Sequence, residues 1–223
     1  MPIPDKTTFG PTLDDFKTGI SFGEIRKLSD DQDRLLYLKR RLECFLLNQV
    51  DEFADRSKSY SPFPLTVMTC VAVETLGRII SPVLKYLNDP DRKDEIPKLV
   101  SIPIYRMLDK ELAHKIDKKF KSSMSQILPK SDLRKVNYYP ELFHTNLRST
   151  YIHGFRPKNV FLKADLESGW EFDDGALVIN PYWLWKEYKR VFYECFDIIL
   201  DAQKKDNPYR QNALDYFNHL INE

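Results

Sequence analysis

Leu65 to Val73 reads Leu-Thr-Val-Met-Thr-Cys-Val-Ala-Val and is apolar on almost every face of a helix. No single neighbour can hide such a segment, so it demands a fold in which one helix is surrounded by others. Pro62-Phe63-Pro64 opens that helix, since proline is tolerated in a first turn. Pro82 kinks or ends it ahead of Asn88-Asp89-Pro90. Glu74 is the lone acid on an otherwise buried surface and needs solvent or a partner. Arg78, one turn on, is the local candidate.

The rest of the chain offers the helices that this core helix requires. Ser29-Asp30-Asp31-Gln32 has the form of a capping box, with a hydroxyl at the cap and Gln three residues later. Leu35, Leu38, Leu42, Phe45, Leu46, Gln49 and Phe53 follow at helical spacing, predicting a buried stripe on a helix that ends near Ser57. Ile96 to Leu128 continues the pattern with Ile104, Met107, Leu108, Leu112, Ile116 and Phe120. Its later half holds Lys110, His114, Lys115, Lys118, Lys119 and Lys121, then Lys130, Arg134 and Lys135, the densest positive run in the chain. That run reads either as a solvated helix face or as a phosphate-binding surface. A further helix runs from Pro140 to His153.

The period then changes. Val160–Leu166, Trp170–Phe172 and Ala176–Ile179 read as short strands separated by Glu167-Ser168-Gly169 and Asp173-Asp174-Gly175, predicting a small antiparallel hairpin or sheet. Asn180-Pro181 caps and opens a last long helix with Trp183, Leu184, Tyr188, Val191, Phe192, Cys195, Phe196 and Ile199 on its apolar face. Asn207-Pro208 starts a short tail helix. The expected organisation is an irregular N-terminal arm over 1–28, a helical domain over 29–205 with a β insertion at about 159–180, and a C-terminal helix over 206–223 packed on that domain.

With 223 residues and 42% apolar content the chain can bury a substantial core. Its net charge of +1 makes no whole-molecule field for a polyanion, so any nucleic-acid surface must be local. Cys44, Cys70 and Cys195 are odd in number and sit in apolar helical patterns, as reduced core cysteines do. Met1-Pro2-Ile3-Pro4-Asp5 has neither a basic start with an apolar run nor a cleavage-like segment, and no uninterrupted apolar stretch approaches spanning length. A cytoplasmic protein with no membrane partner is the expectation.

Chemistry concentrates in Leu147-Arg148-Ser149-Thr150-Tyr151-Ile152-His153-Gly154. Gly154 suits the left-handed position just past a helix end, which places His153 among terminal carbonyls. Cleavage of RNA by its own 2′-hydroxyl needs a base, an acid and positive charge for the phosphorane. His153 can exchange protons near neutral pH, and the Arg148 guanidinium can fork onto phosphate oxygens. Such chemistry calls for no metal and no cofactor, and the sequence holds no clustered His/Cys/Asp ligand set. Five positions along a regular helix put the two side chains about 140° apart, so convergence on one phosphate requires a distorted last turn or a second chain. His144, Arg148 and Tyr151 share one face at i, i+4 and i+7, which makes His144 the rival to His153. Glu74 could orient Arg148 or simply pair with Arg78. Tyr138, Tyr139, Trp170, Trp183 and Trp185 could stack bases beside Arg156 and Lys158, or belong to the core.

The stretch Arg148, Ser149, His153, Gly154 resembles the signature of the HEPN superfamily: Arg, a polar residue, variable positions, then His, commonly followed by Gly. The context is similar too, with a helical bundle, the motif closing a late helix and a long final helix after it, over residues from about 30 to 203. The fold class implied is a mainly α, HEPN-like bundle with the β insertion before the last long helix. The resemblance further implies a metal-independent endoribonuclease working as a homodimer on RNA, in a toxin, phage-defence or RNA-processing context, with an antitoxin or regulator protein as a further partner. Arg148 would bind phosphate and His153 would be the acid/base. Ser149 stands where many members carry Asn, Asp or His. Members without cleavage activity make a non-catalytic module, binding RNA, nucleotide or a protein, the alternative, and a purely structural helix terminus is the third reading.

Overall fold

A computed structural model of the chain describes residues 8–11, 19–57, 62–87, 89–108, 160–173 and 176–222, together with Lys115, Lys118 and Leu147. The described chain is mainly helical, with a small three-stranded sheet ahead of the last two helices. The expected helix Pro140–His153 lies outside the described residues except for Leu147, as do most of the basic run and the turn residues Asp174 and Gly175.

Helix α4 (Phe63–Ile80) is the surrounded helix that its composition demands. It packs against α3 (Asn48–Ser57), α6 (Ile96–Val100), α7 (Ile102–Leu108), α8 (Pro181–Leu200) and α9 (Pro208–Asn222). Leu65, Leu76, Ile79 and Ile80 are essentially fully buried, each removing on the order of 2 kcal/mol of apolar surface from water. Its buried hydroxyls cost little because each donates one turn back: Thr69 Oγ1 to the Leu65 carbonyl at 2.8 Å, and Ser81 Oγ to the Gly77 carbonyl. By length and composition α4 could cross a bilayer, contrary to the expectation that no stretch approaches that length, but more than half of it is buried inside the protein. Short helix α5 (Val83–Leu87) follows after Pro82, so the proline separates two helices where a kink or an end was expected.

The first long helical region is α2 (Asp31–Leu42), a π-helical turn (Glu43–Leu47) and α3, unbroken through Ser57, the last described residue of that stretch. The cap is Asp30, not Ser29: its carboxylate accepts from the Gln32 and Asp33 amides at 2.7 and 3.2 Å. The predicted stripe is fully buried at Leu35 and Leu38 and only partly buried at Leu42, Leu46 and Phe53, which still pack against the core. Leu47, Val50 and Ala54 are buried, whereas Phe45 is 55% exposed and Gln49 is exposed. The π turn inserts one extra residue, so the centre of the buried face moves from 46, 49, 53 to 47, 50, 54, with Leu46 and Phe53 left on its flank.

Residues 1–28 were expected to be irregular, yet β1 (Thr8–Pro11) pairs antiparallel with β2 (Gly19–Ser21), and α1 (Phe22–Arg26) follows. The true capping box is here: the Glu24 amide donates to Ser21 Oγ, and the Ser21 amide donates to the Glu24 carboxylate at 2.8 Å. The helix expected from Ile96 onward divides at the buried Ser101, whose hydroxyl bonds the Lys98 carbonyl. Lys115 and Lys118 are helical and exposed.

The sheet orders β3 (Val160–Leu162), β5 (Ala176–Ile179), β4 (Trp170–Asp173). β4 and β5 form the expected antiparallel pair, but β3 runs parallel to β5, correcting the purely antiparallel sheet. The cause is the 163–169 connection, which crosses the sheet end so that β5, buried at all four positions, takes the centre. Asn180 locks that crossing: its Oδ1 accepts the Tyr182 and Trp183 amides, and its Nδ2 donates to the Ala164 and Leu166 carbonyls, both at 3.0 Å. Gly169 takes φ +77°, and a Cβ there would strike the Trp183 ring.

At Gly77 a Cβ would collide with the Val100 backbone, so the close approach of α4 and α6 depends on its absence. Gly77→Ala is expected to lower stability by about 2–3 kcal/mol in urea unfolding. Val71→Ala, at an exposed position of the same helix, should stay within about 0.5 kcal/mol of the parent.

Candidate functional site

Arg148, Ser149, Tyr151, His153, His144, Arg156 and Lys158 lie outside the described residues. What the structure places is their approach. Leu147, immediately before Arg148, is helical, 1% exposed and part of the main core cluster. Glu74 lies on α4, half-buried, accepting from Arg78 Nη2 at 3.0 Å. Its face continues to exposed Val71, so this acid sits at an edge of the core helix rather than inside it. The three tryptophans resolve toward the core: Trp185 is 3% exposed, and Trp170 and Trp183 pack against the buried cluster.

A second polar group emerges only from the packing of the long first helix on α8. Asp51 Oδ1 accepts from Trp185 Nε1 at 2.7 Å and from Lys189 Nζ at 2.6 Å. Further along the same seam, Lys39 Nζ stands 5.5 Å from the Tyr193 ring centre and 3.9 Å from Glu43. The order 39 to 51 against 193 to 185 shows that the two helices run antiparallel, with this polar line along their solvent edge. Burial, reinforced by Glu43 and Asp51, pushes the Tyr193 hydroxyl up. Burial also raises the Glu43 carboxyl, outweighing Lys39 and Arg40. The arrangement pins two helices together, because one carboxylate of the first helical region accepts from two side chains of α8. Spacing hinted at half of it, because Trp185 and Lys189 are one turn apart, but Asp51 is 134 residues from Trp185.

Cys195 is fully buried and receives Arg106 Nη1 at 3.7 Å. Burial raises its thiol to about 11 despite the opposing guanidinium, so it stays protonated at neutral pH. Among the described residues, no group of three or more His, Cys, Asp or Glu is placed to hold a metal ion.

No family model, no curated protein and no solved structure matches the chain.

Two outcomes follow from these environments. Cys44, only partly buried, is expected to react first with iodoacetamide, while Cys70 and Cys195 wait for unfolding, as read by mass spectrometry of the native and denatured protein. Because the native Glu43 pKa is raised above 4.5, its ionisation destabilises the fold as pH climbs from the unfolded value through the native one. The melting temperature of Glu43→Gln relative to the parent is therefore expected to become more positive from about pH 4 to about pH 8.

Proposed function

We propose that this chain is a metal-independent endoribonuclease of HEPN type, with Arg148 and His153 forming a composite site where two copies meet. The observation that carries the reading is the anchoring of the motif: Leu147, helical and buried in the core, precedes Arg148 directly. Phosphate positioning requires a held backbone, and the described residue next to Arg148 in the chain is one buried in the core. The mainly helical surroundings agree with this reading, whereas Glu74 pairs with Arg78 on the central helix, the non-catalytic alternative for that acid.

In the proposed reaction His153 accepts the 2′-hydroxyl proton as that oxygen attacks phosphorus. A second imidazole, from the other copy, protonates the departing 5′-oxygen, leaving a 2′,3′-cyclic phosphate. Arg148 neutralises the charge that builds on the non-bridging oxygens. The angular separation of the two motif residues on a regular helix is the reason for a homodimer. A cytoplasmic toxin or defence role, checked by an antitoxin or regulator protein, belongs to the same proposal.

Purified protein is expected to cleave labelled RNA in excess EDTA, with Arg148→Ala and His153→Ala each reducing the rate by about 10²–10⁴-fold. Cleavage unchanged in both variants, or absent from the parent, overturns the nuclease. RNA binding without cleavage instead supports the non-catalytic module. Sedimentation is expected to find a dimer at micromolar concentration, and a monomer that still cleaves removes the composite site.

A further inference from the structure

A cleft of about 480 Å³ opens where the first turn of α2, the first turns of α9 and the loop leaving α8 meet, its walls including Asp30, Asp31, Lys205, Arg210 and Gln211. Arg210 is 7% exposed, the one charged side chain in the buried class among the described residues. Its Nη1 donates to the Ile199 carbonyl at 2.8 Å and to Gln32 Oε1 at 3.1 Å, both neutral acceptors. Those bonds cap the end of α8 and account for one nitrogen of the fork. Nε and Nη2 make no hydrogen bond, and the guanidinium no ion pair, among the described residues. A cation so deeply placed beside a cavity, with two nitrogens unbonded among the described residues, can take an acceptor from outside.

The charges around the cleft are segregated. Lys205 and Arg210 stand on the α8–α9 side, and Asp30 and Asp31 on the α2 side, two positive against two negative. Asp30 uses its Oδ1 on the Gln32 and Asp33 amides, and Asp31 reaches Arg34 at 3.5 Å while 54% exposed, so both carboxylates keep accepting capacity. A simple anion entering here meets the two carboxylates, and a simple cation meets the guanidinium. A molecule carrying both charges satisfies both walls.

We propose that this cleft is a binding site for a small zwitterion of α-amino-acid type, its carboxylate on the Nε/Nη2 edge of Arg210 with Lys205 at the rim, and its ammonium toward Asp30 and Asp31. The volume falls within the usual range for small-molecule sites of about 300–1,000 Å³. The site is independent of RNA cleavage.

The test is isothermal titration calorimetry of the full chain with individual free α-amino acids, and with acetate, methylamine and inorganic phosphate as half-ligands. At least one amino acid is expected to bind saturably and about tenfold or more tighter than any half-ligand. Lys205→Glu and Asp31→Asn, both at exposed positions, should each weaken it about tenfold while circular dichroism stays that of the parent. Absence of saturable binding by every amino acid, phosphate or acetate binding as tightly as the zwitterion, or affinity unchanged in both variants would overturn the proposal.

Discussion

Burial of α4 governs the rest of the structure, because a helix apolar on nearly all sides leaves water only if several partners arrive together. The two C-terminal helices supply much of that cover, and they are held by hydrogen bonds at their ends as well as by apolar contact. Asn212 Nδ2 donates to the Ile80 carbonyl at 3.0 Å, satisfying the end of the central helix. Gln32 Nε2 and Arg210 Nη1 do the same for Leu200 and Ile199 at the end of α8. Helix ends that would otherwise bury bare carbonyls thus become the points at which α2, α4, α8 and α9 are joined.

The aromatic load of α8 explains how so long a helix fits against the same core. Tyr188 stacks on Trp185 at 5.2 Å, Phe192 meets Phe196 at 4.7 Å, and Tyr37 of α2 meets Phe217 of α9 edge-on at 6.2 Å. Burial drives the Tyr188 hydroxyl far above its ordinary range, as expected for a ring wholly enclosed by the core. Polar side chains are consigned to the edge, where Asp51, Lys189, Lys39 and Glu43 run beside the seam. The proposed Arg148/His153 chemistry and the Arg210 cleft rest on different features, the first on the residue after buried Leu147 and the second on the meeting of α2, α8 and α9.

Local signals determined a good deal. The all-round apolar run specified a surrounded helix, Asn180-Pro181 and Asn207-Pro208 marked two helix starts correctly, and Ala176–Ile179 announced a strand whose burial on both faces matches its uninterrupted apolar character. Glu74 and Arg78 pair as their one-turn spacing allows. These features depend on neighbours within a turn or two, so the chain carries them in its order of residues.

Tertiary structure decided the rest, for reasons of distance and register. A π turn at Glu43–Leu47 is indistinguishable from regular helix in composition, yet its extra residue rotates the following stripe from 46, 49, 53 to 47, 50, 54. The parallel alignment of β3 depends on which side of β5 each strand takes, and alternation along one strand carries no information about that. Asp51 joins Trp185 and Lys189, and Arg210 joins Gln32, only once helices far apart in the chain are packed. The sequence by itself determined a mainly helical chain organised around one buried helix, with an Arg148-to-His153 motif one residue beyond Leu147. Packing alone decided which polar groups meet, because their contacts close loops of more than a hundred residues that no local pattern encodes.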